Sequence, residues 1–113
     1  MTSLRKVTFG EYIRALRNNQ NLTLTQLAAK LDLDSANLSK IENGKRDFDE
    51  KRLFKLAKVF KLNIKELQRE FVSDQIAKKI YECNCTKEML VVAEEKAKYR
   101  RQLNNQYKKE KVL

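Results

Sequence analysis

Apolar positions recur along this chain at helical spacing almost without interruption. In "TFGEYIRALRNNQ", Phe9, Ile13 and Leu16 fall on one face, and Thr8 stands ahead of them as an N-cap. In "LTLTQLAAKLDLDSANLSKIENGKRDF", Thr23 and Gln26 form a T-x-x-Q capping box, so a second helix begins near Leu24. Leu24, Leu27, Ala28 and Leu31 follow at i, i+3, i+4 and i+7, the stripe of a helix with one buried face. Asp32 ends it, where a residue tolerant of left-handed geometry is wanted, and Leu33 fills the turn. Asp34 caps a third helix that runs to Glu42, and Gly44 supplies its exit. Asp47 and Asp49 favour the start of a fourth helix carrying Leu53, Leu56, Ala57 and Phe60. Leu62, Ile64 and Leu67 continue as a fifth, short one.

From Ser73 onward the pattern reads as a separate unit. "SDQIAKKIY" predicts a short capped helix with Ile76, Ala77, Ile80 and Tyr81 inward. "NCT" breaks it, and Thr86 starts a last helix, whose apolar positions crowd early at Met89, Leu90, Val92 and Ala93. Its end, Lys96 to Lys111, is strongly basic and is expected to fray. The chain thus divides into residues 1–72 and a helical extension, 73–113, whose early apolar surface docks on a second chain or on its own bundle through Ile76, Ile80 and Tyr81, with dimerisation the favoured reading.

Composition narrows the class. No proline and two glycines among 113 residues argue against a sandwich or barrel, which needs turn chemistry at regular intervals, and for an all-α protein. The net charge is +10 with 35% charged residues, a surplus that suits a polyanionic partner, nucleic acid first and an anionic membrane surface second. The longest apolar run, Met89 to Ala93, is far below the roughly 20 residues of a membrane span, and "MTSLRKVTFG" lacks the apolar stretch of a signal peptide. A cytoplasmic protein without membrane contact is the expectation.

Catalytic and metal chemistry find little support. Histidine is absent, no carboxylates cluster with room for a substrate, and there is no glycine-rich phosphate loop, so no enzyme and no cofactor are expected. Cys83 and Cys85 supply two thiolates where structural zinc wants four ligands, and they read as plain reduced thiols.

The second and third helices pose a question, since isolated helices below about 12–15 residues are marginal in water. With Leu38 and Ile41 turned inward, Ala36, Ser39, Lys40 and Asn43 point away from the core, flanked by Ser35 and Asn37. That face is small, polar and singly positive. A DNA major groove needs such a slim face to approach base edges, and the preceding helix braces the angle and offers its N-terminus to a phosphate.

"FGEYIRALRNNQNLTLTQLAAKLDLDSANLSKIENGKRDFDEKRLFKLAKVFKLNIKEL", about half the chain, resembles the Cro-like, XRE-type helix-turn-helix family of phage repressors and restriction–modification controllers. "LSKIENGKR" followed by "LFKLAKVFKLNIKEL" is the specific part. The resemblance implies a five-helix, lambda-repressor-like bundle with a C-terminal helical extension, dimeric on an inverted repeat of double-stranded DNA. Carried over by position, base reading falls on Ser35, Ala36, Ser39 and Lys40, with Asn37 a further candidate. Phosphate contact falls on Asn43, Lys45 and Arg46. Two positions depart from the family pattern: Leu24 stands where many members have a glutamine that touches phosphate, and Asp32 replaces the usual turn glycine. The extension, "SDQIAKKIYE" then "VVAEEKAKY", is similar to regulators found beside DNA methyltransferase genes.

Other residues have simpler readings. Leu27, Leu31, Leu38 and Ile41 are core, and Glu42 pairs with Arg17 or Arg46. Lys51, Arg52, Lys55 and Lys58 form a solvated face rather than a DNA stripe, while Tyr99 and Tyr107 pack on helices. The expectation is a sequence-specific, homodimeric transcription regulator acting near its own promoter. The rival is an antitoxin-type module whose tail binds and neutralises a partner protein.

Overall fold

The computed structural model describes the backbone of residues 6–112 and the side chains of residues 6–106. Among the described residues it is all-helical, as the pattern predicts: α1 Phe9–Asn19, α2 Leu24–Lys30, α3 Ser35–Glu42, α4 Leu53–Phe60, α5 Ile64–Cys83 and α6 Lys87–Val112, with a 3-10 turn at Glu50–Arg52 before α4. The chain divides into two compact units, residues 1–76 and 77–113, and α5 runs across the boundary.

The first unit holds one core. Phe9, Tyr12 and Ile13 of α1, Leu27 and Ala28 of α2 with Leu31 beyond it, and Leu38 and Ile41 of α3 are buried together. Phe48, the α4 residues Leu53, Leu56, Ala57 and Phe60, and Leu67 and Phe71 of α5 complete it. Leu16, Leu22, Leu24, Leu33, Val59, Leu62 and Ile64 close its edges. The ring of Phe9 gathers three others, with centroids 5.8 Å to Tyr12, 5.7 Å to Phe48 and 5.2 Å edge-on to Phe71. Such edge-to-face contacts add about 0.5–1.5 kcal/mol beyond burial and tie α1 to α5.

Short helices survive here because their ends are chemically closed. Thr8 and Thr23 make full capping boxes with Glu11 and Gln26, and Asp34 accepts the Asn37 backbone N–H at 2.6 Å. The other ends share one device. Asn21, Asp32, Gly44, Lys61 and Asn84 all take left-handed backbone, with φ between 50° and 75°. Beyond each, the next N–H reaches back five residues, as Leu33 does to the Ala28 carbonyl at 2.9 Å and Lys45 to that of Lys40 at 2.9 Å. This is the Schellman exit, and polar side chains stand at four of its five left-handed positions, so the chain manages with few glycines.

Gly10 is used for a different purpose. A Cβ there would lie 2.2 Å from the Ile41 carbonyl oxygen and 2.9 Å from that of Glu42. The backbone of α1 therefore rests directly on the last carbonyls of α3, closer than any side chain allows.

Three expectations for the second half fail. No short fifth helix is followed by a capped one at Ser73: α5 is a single helix of 20 residues. Inside it the Ser73 hydroxyl donates to the Glu70 carbonyl at 3.2 Å instead of capping anything. Ile76 and Tyr81 are exposed at 54% and 84%, and Ala77 is exposed too, so of the four side chains expected inward only Ile80 is half-buried. The basic end of α6 does not fray: the helix continues to Val112. Asn84, with φ 50°, separates the two helices, and Thr86 caps α6 by accepting the Met89 N–H at 3.2 Å, as the pattern predicts. Tyr107 lies outside the described side chains.

Candidate nucleic-acid interface

The site is built on α3. Leu38, Ile41 and Glu42 face the core, which leaves Ser35, Ala36 and Lys40 exposed and Asn37 and Ser39 half-buried along the opposite side. Asn43, Gly44, Lys45 and Arg46 continue past its end, all exposed. The eight candidate residues thus occupy exposed or half-buried positions between residues 35 and 46.

What holds this face is a buried carboxylate. Glu42 is 2% exposed, and Arg17 meets it with both forks, Nε to Oε2 at 2.7 Å and Nη2 to Oε1 at 2.9 Å. Arg17 also donates through Nη1 to the Leu22 carbonyl at 3.0 Å, so one guanidinium joins α1, α3 and the turn before α2. The hydrogen bonds to Glu42 raise the Arg17 pKa above its ordinary value, outweighing the opposite pull of burial. A second cation, Arg14 Nε, reaches Glu42 Oε1 at 3.3 Å. The expected partner Arg17 is present; Arg46 is not, and Arg14 takes that place.

From Glu42 the network runs outward. Arg14 donates through Nη2 to the Asn43 side-chain carbonyl, and the Asn43 amide donates to the Ser39 carbonyl at 2.9 Å. Arg46 folds back over α3 and donates to the Asn37 side-chain carbonyl. The candidate residues therefore separate into two kinds. Asn37, Ser39, Asn43 and Arg46 are tied to one another or to α1. The side chains of Ser35, Lys40 and Lys45 have no hydrogen bond or ion pair with any described residue.

These ties limit the chemistry. An asparagine pairs with adenine by accepting at its carbonyl and donating from its amide together. At Asn37, Arg46 already occupies one of the two lone pairs of that carbonyl. Lys40 and Lys45 carry no such tie, and neither does the methyl of Ala36, which suits a thymine methyl.

The basic stretch of α4 is less uniform than a solvated face. Arg52 donates through Nε to the Leu31 carbonyl at 3.0 Å and through Nη2 to that of Asp32 at 3.3 Å, with Asp49 held by Nη1 at 2.9 Å. A cation at the carbonyl end of α2 also complements the helix dipole. Lys55 pairs with the Asp32 carboxylate, whose pKa that hydrogen bond lowers, with the Lys55 and Arg52 charges adding to the effect. Lys51 and Lys58 remain exposed. Arg14 and Arg52 were not legible as structural residues, because the carbonyls and carboxylate they meet are remote in sequence.

Leu24, at the position that departs from the family pattern, is half-buried against the core and offers no phosphate donor. Cys83 is exposed and Cys85 half-buried, with both thiols free. Among the described residues no three His, Cys, Asp or Glu side chains come together as a metal would require. No helix among them is long and apolar enough to cross a membrane.

Residues 13–67 match the sequence profile of the Helix-turn-helix family. The HTH-type transcriptional repressor RghR of Bacillus subtilis is 51% identical over 39 residues, which make up 34% of this chain and 29% of that protein. The chain thus spans under a third of the length of the curated relatives it matches. Among solved structures, the restriction-modification controller protein C.AhdI from Aeromonas hydrophila is 30% identical, with a TM-score of 0.47 over 52% of this chain and 89% of that one. The clp gene regulator ClgR from Corynebacterium glutamicum shares the fold at 19% identity, with a TM-score of 0.50 over 66% of this chain and 79% of that one. The capped α2–α3 pair lies within the matched residues 13–67, and the chain belongs to the XRE-type helix-turn-helix family.

Proposed function

We propose that the chain is a sequence-specific DNA-binding transcription regulator that acts as a homodimer on an inverted repeat near its own promoter, in the manner of a restriction–modification controller. The observation that carries this reading is the outward side of α3, slim, polar and cationic, held in one orientation by the Glu42–Arg17 pair. Ser35, Ala36, Ser39 and Lys40 read base edges, with Asn37 joining once Arg46 turns to a phosphate. Lys45, Arg46 and Asn43 contact the backbone, and their cations supply affinity through counterion release. The protein works by binding, not catalysis, in the cytoplasm. Residues 1–72 carry the DNA-binding function and residues 73–113 the contact between copies. Selection of bound sequences from random DNA tests the reading. A palindromic consensus with half-sites about 10–10.5 base pairs apart, or a multiple of that, is expected; recovery of random sequence sinks it.

A second reading draws on α6, whose apolar side chains are exposed. An antitoxin-type module would cover them with a different protein. Co-purification of a small partner in fixed ratio, combined with no selected DNA sequence, distinguishes the two.

A further inference from the structure

No described side chain of α6 is buried, and only Ala97 is half-buried. Yet Met89, Val92, Lys96, Tyr99 and Leu103 follow one another at steps of three, four, three and four residues, the repeat of a coiled-coil seam. The four apolar members are 54%, 41%, 59% and 45% exposed. At 26 residues the helix is about 39 Å long, enough for a paired seam. We propose that this seam is covered by α6 of a second copy of the chain, running antiparallel. The proposal rests on the homodimer reading and adds to it the surface, the orientation and the register.

Charge selects the orientation. Residues 87–95 carry one lysine and three glutamates, whereas residues 96–106 carry four basic side chains and no acidic one. Antiparallel helices set the acidic stretch of each copy beside the basic stretch of the other. Parallel helices set the two basic stretches side by side, where like charges repel.

The seam also reverses onto itself. When Lys96 of one copy lies opposite Tyr99 of the second, Val92 meets Leu103 and Met89 meets Gln106. The two-fold axis then repeats each contact, as an isologous interface requires. Lys96, the one cation in the seam, places its alkyl stem along the Tyr99 ring and its ammonium over the ring face. A polar seam residue with one good partner fixes register, and here that partner exists only in the antiparallel arrangement. In the parallel one the two Lys96 side chains face each other.

Disulfide trapping of the full chain tests this. In a background of Cys83→Ser with Cys85→Ser, one preparation carries Val92→Cys and another Leu103→Cys, with helix content checked by circular dichroism. Mild oxidation of the mixed preparations should yield at least about ten times more linked dimer than either alone, because copies of the same residue lie about 16 Å apart along the axis. Self-linking of each single variant would mean parallel helices and would overturn the orientation. A dimer in sedimentation equilibrium with no linkage in any sample moves the contact to another surface. A chain that sediments as a monomer at tens of micromolar overturns both the seam and the homodimer. No DNA is used, so failure of the selection from random sequence leaves this outcome standing on its own.

Discussion

Asn43 has its side chain engaged on both sides, accepting from Arg14 and donating to Ser39. Arg14, whose side chain is 40% exposed, stands beside that amide at the end of α3. Arg14→Gln should weaken binding to all DNA sequences alike and lower the salt slope by about one unit. Its effect on stability should stay within about 1 kcal/mol, because Arg14 is the exposed end of its pair and Arg17 keeps Glu42 paired. A melting loss as large as that of a Glu42 variant would make Arg14 a clamp and not a contact. Glu42→Ala leaves the Arg17 guanidinium, only 14% exposed, without its counter-charge, and should cost about 3–5 kcal/mol in urea unfolding. Lys40→Ala touches nothing that holds the fold. It should relax base preference, by about 1–3 kcal/mol at one position of the selected consensus, with no change in melting. The positions of Ser35, Ala36, Ser39 and Lys40 on one face were legible from the 100° step of a helix. The ties of Arg14 to Asn43 and of Arg46 to Asn37 were not, because periodicity says which side a residue is on and nothing of its neighbour across a turn.

The helices themselves were legible where their ends carry chemistry. Thr8, Thr23 and Asp34 cap as their side chains suggest, and Asp32 and Gly44 turn left-handed as expected. The same reasoning misled at Ser73, since a serine that can cap can equally bond back to a carbonyl within a helix, and local sequence does not decide between them. Lys61 was passed over because lysine carries no turn signal, yet it takes φ 54°. Left-handed backbone costs an ordinary residue about 1–2 kcal/mol, whereas the added freedom of glycine in the unfolded chain costs about 0.4–1. Lys61→Gly should therefore raise stability by about 0.5–1 kcal/mol, and a lowered unfolding midpoint would show that the Lys61 side chain contributes more than its strain. Gly10→Ala goes the other way. The new methyl meets carbonyl oxygens that cannot move aside, so a loss of about 3 kcal/mol or more is expected in thermal melts. At the exit of α2, Asp32 has its pKa lowered in the fold by Lys55. That contribution is present above the ordinary aspartate range and is lost as pH falls through the lowered value. Lys55→Gln should flatten the acid limb of the stability profile there.

At the scale of the whole molecule, the core lies within residues 9–71, and most exposed apolar side chains, Ile76, Tyr81, Met89, Val92, Tyr99 and Leu103 among them, lie beyond it, whereas Phe54 is exposed within it. A chain ending at Cys83 should melt near the full-length midpoint but sediment as a monomer and lose most of its affinity for the selected site. An equally stable dimer would place the contact in the first unit. Apolar residues at helical spacing foretold that α6 would form; they could not say what covers it, because a seam looks the same whether its partner is near or in another copy. Finally, Gly10 and Glu42 anchor α3 from behind, through backbone and a buried charge, while the outward side chains give little to the core. Address and architecture are thereby written in separate residues. With the base contacts proposed above, a lineage can recode Ser35, Ala36, Ser39 and Lys40 to follow a drifting operator without passing through unfolded intermediates, so that new specificities arise by single heritable steps on an unchanged frame.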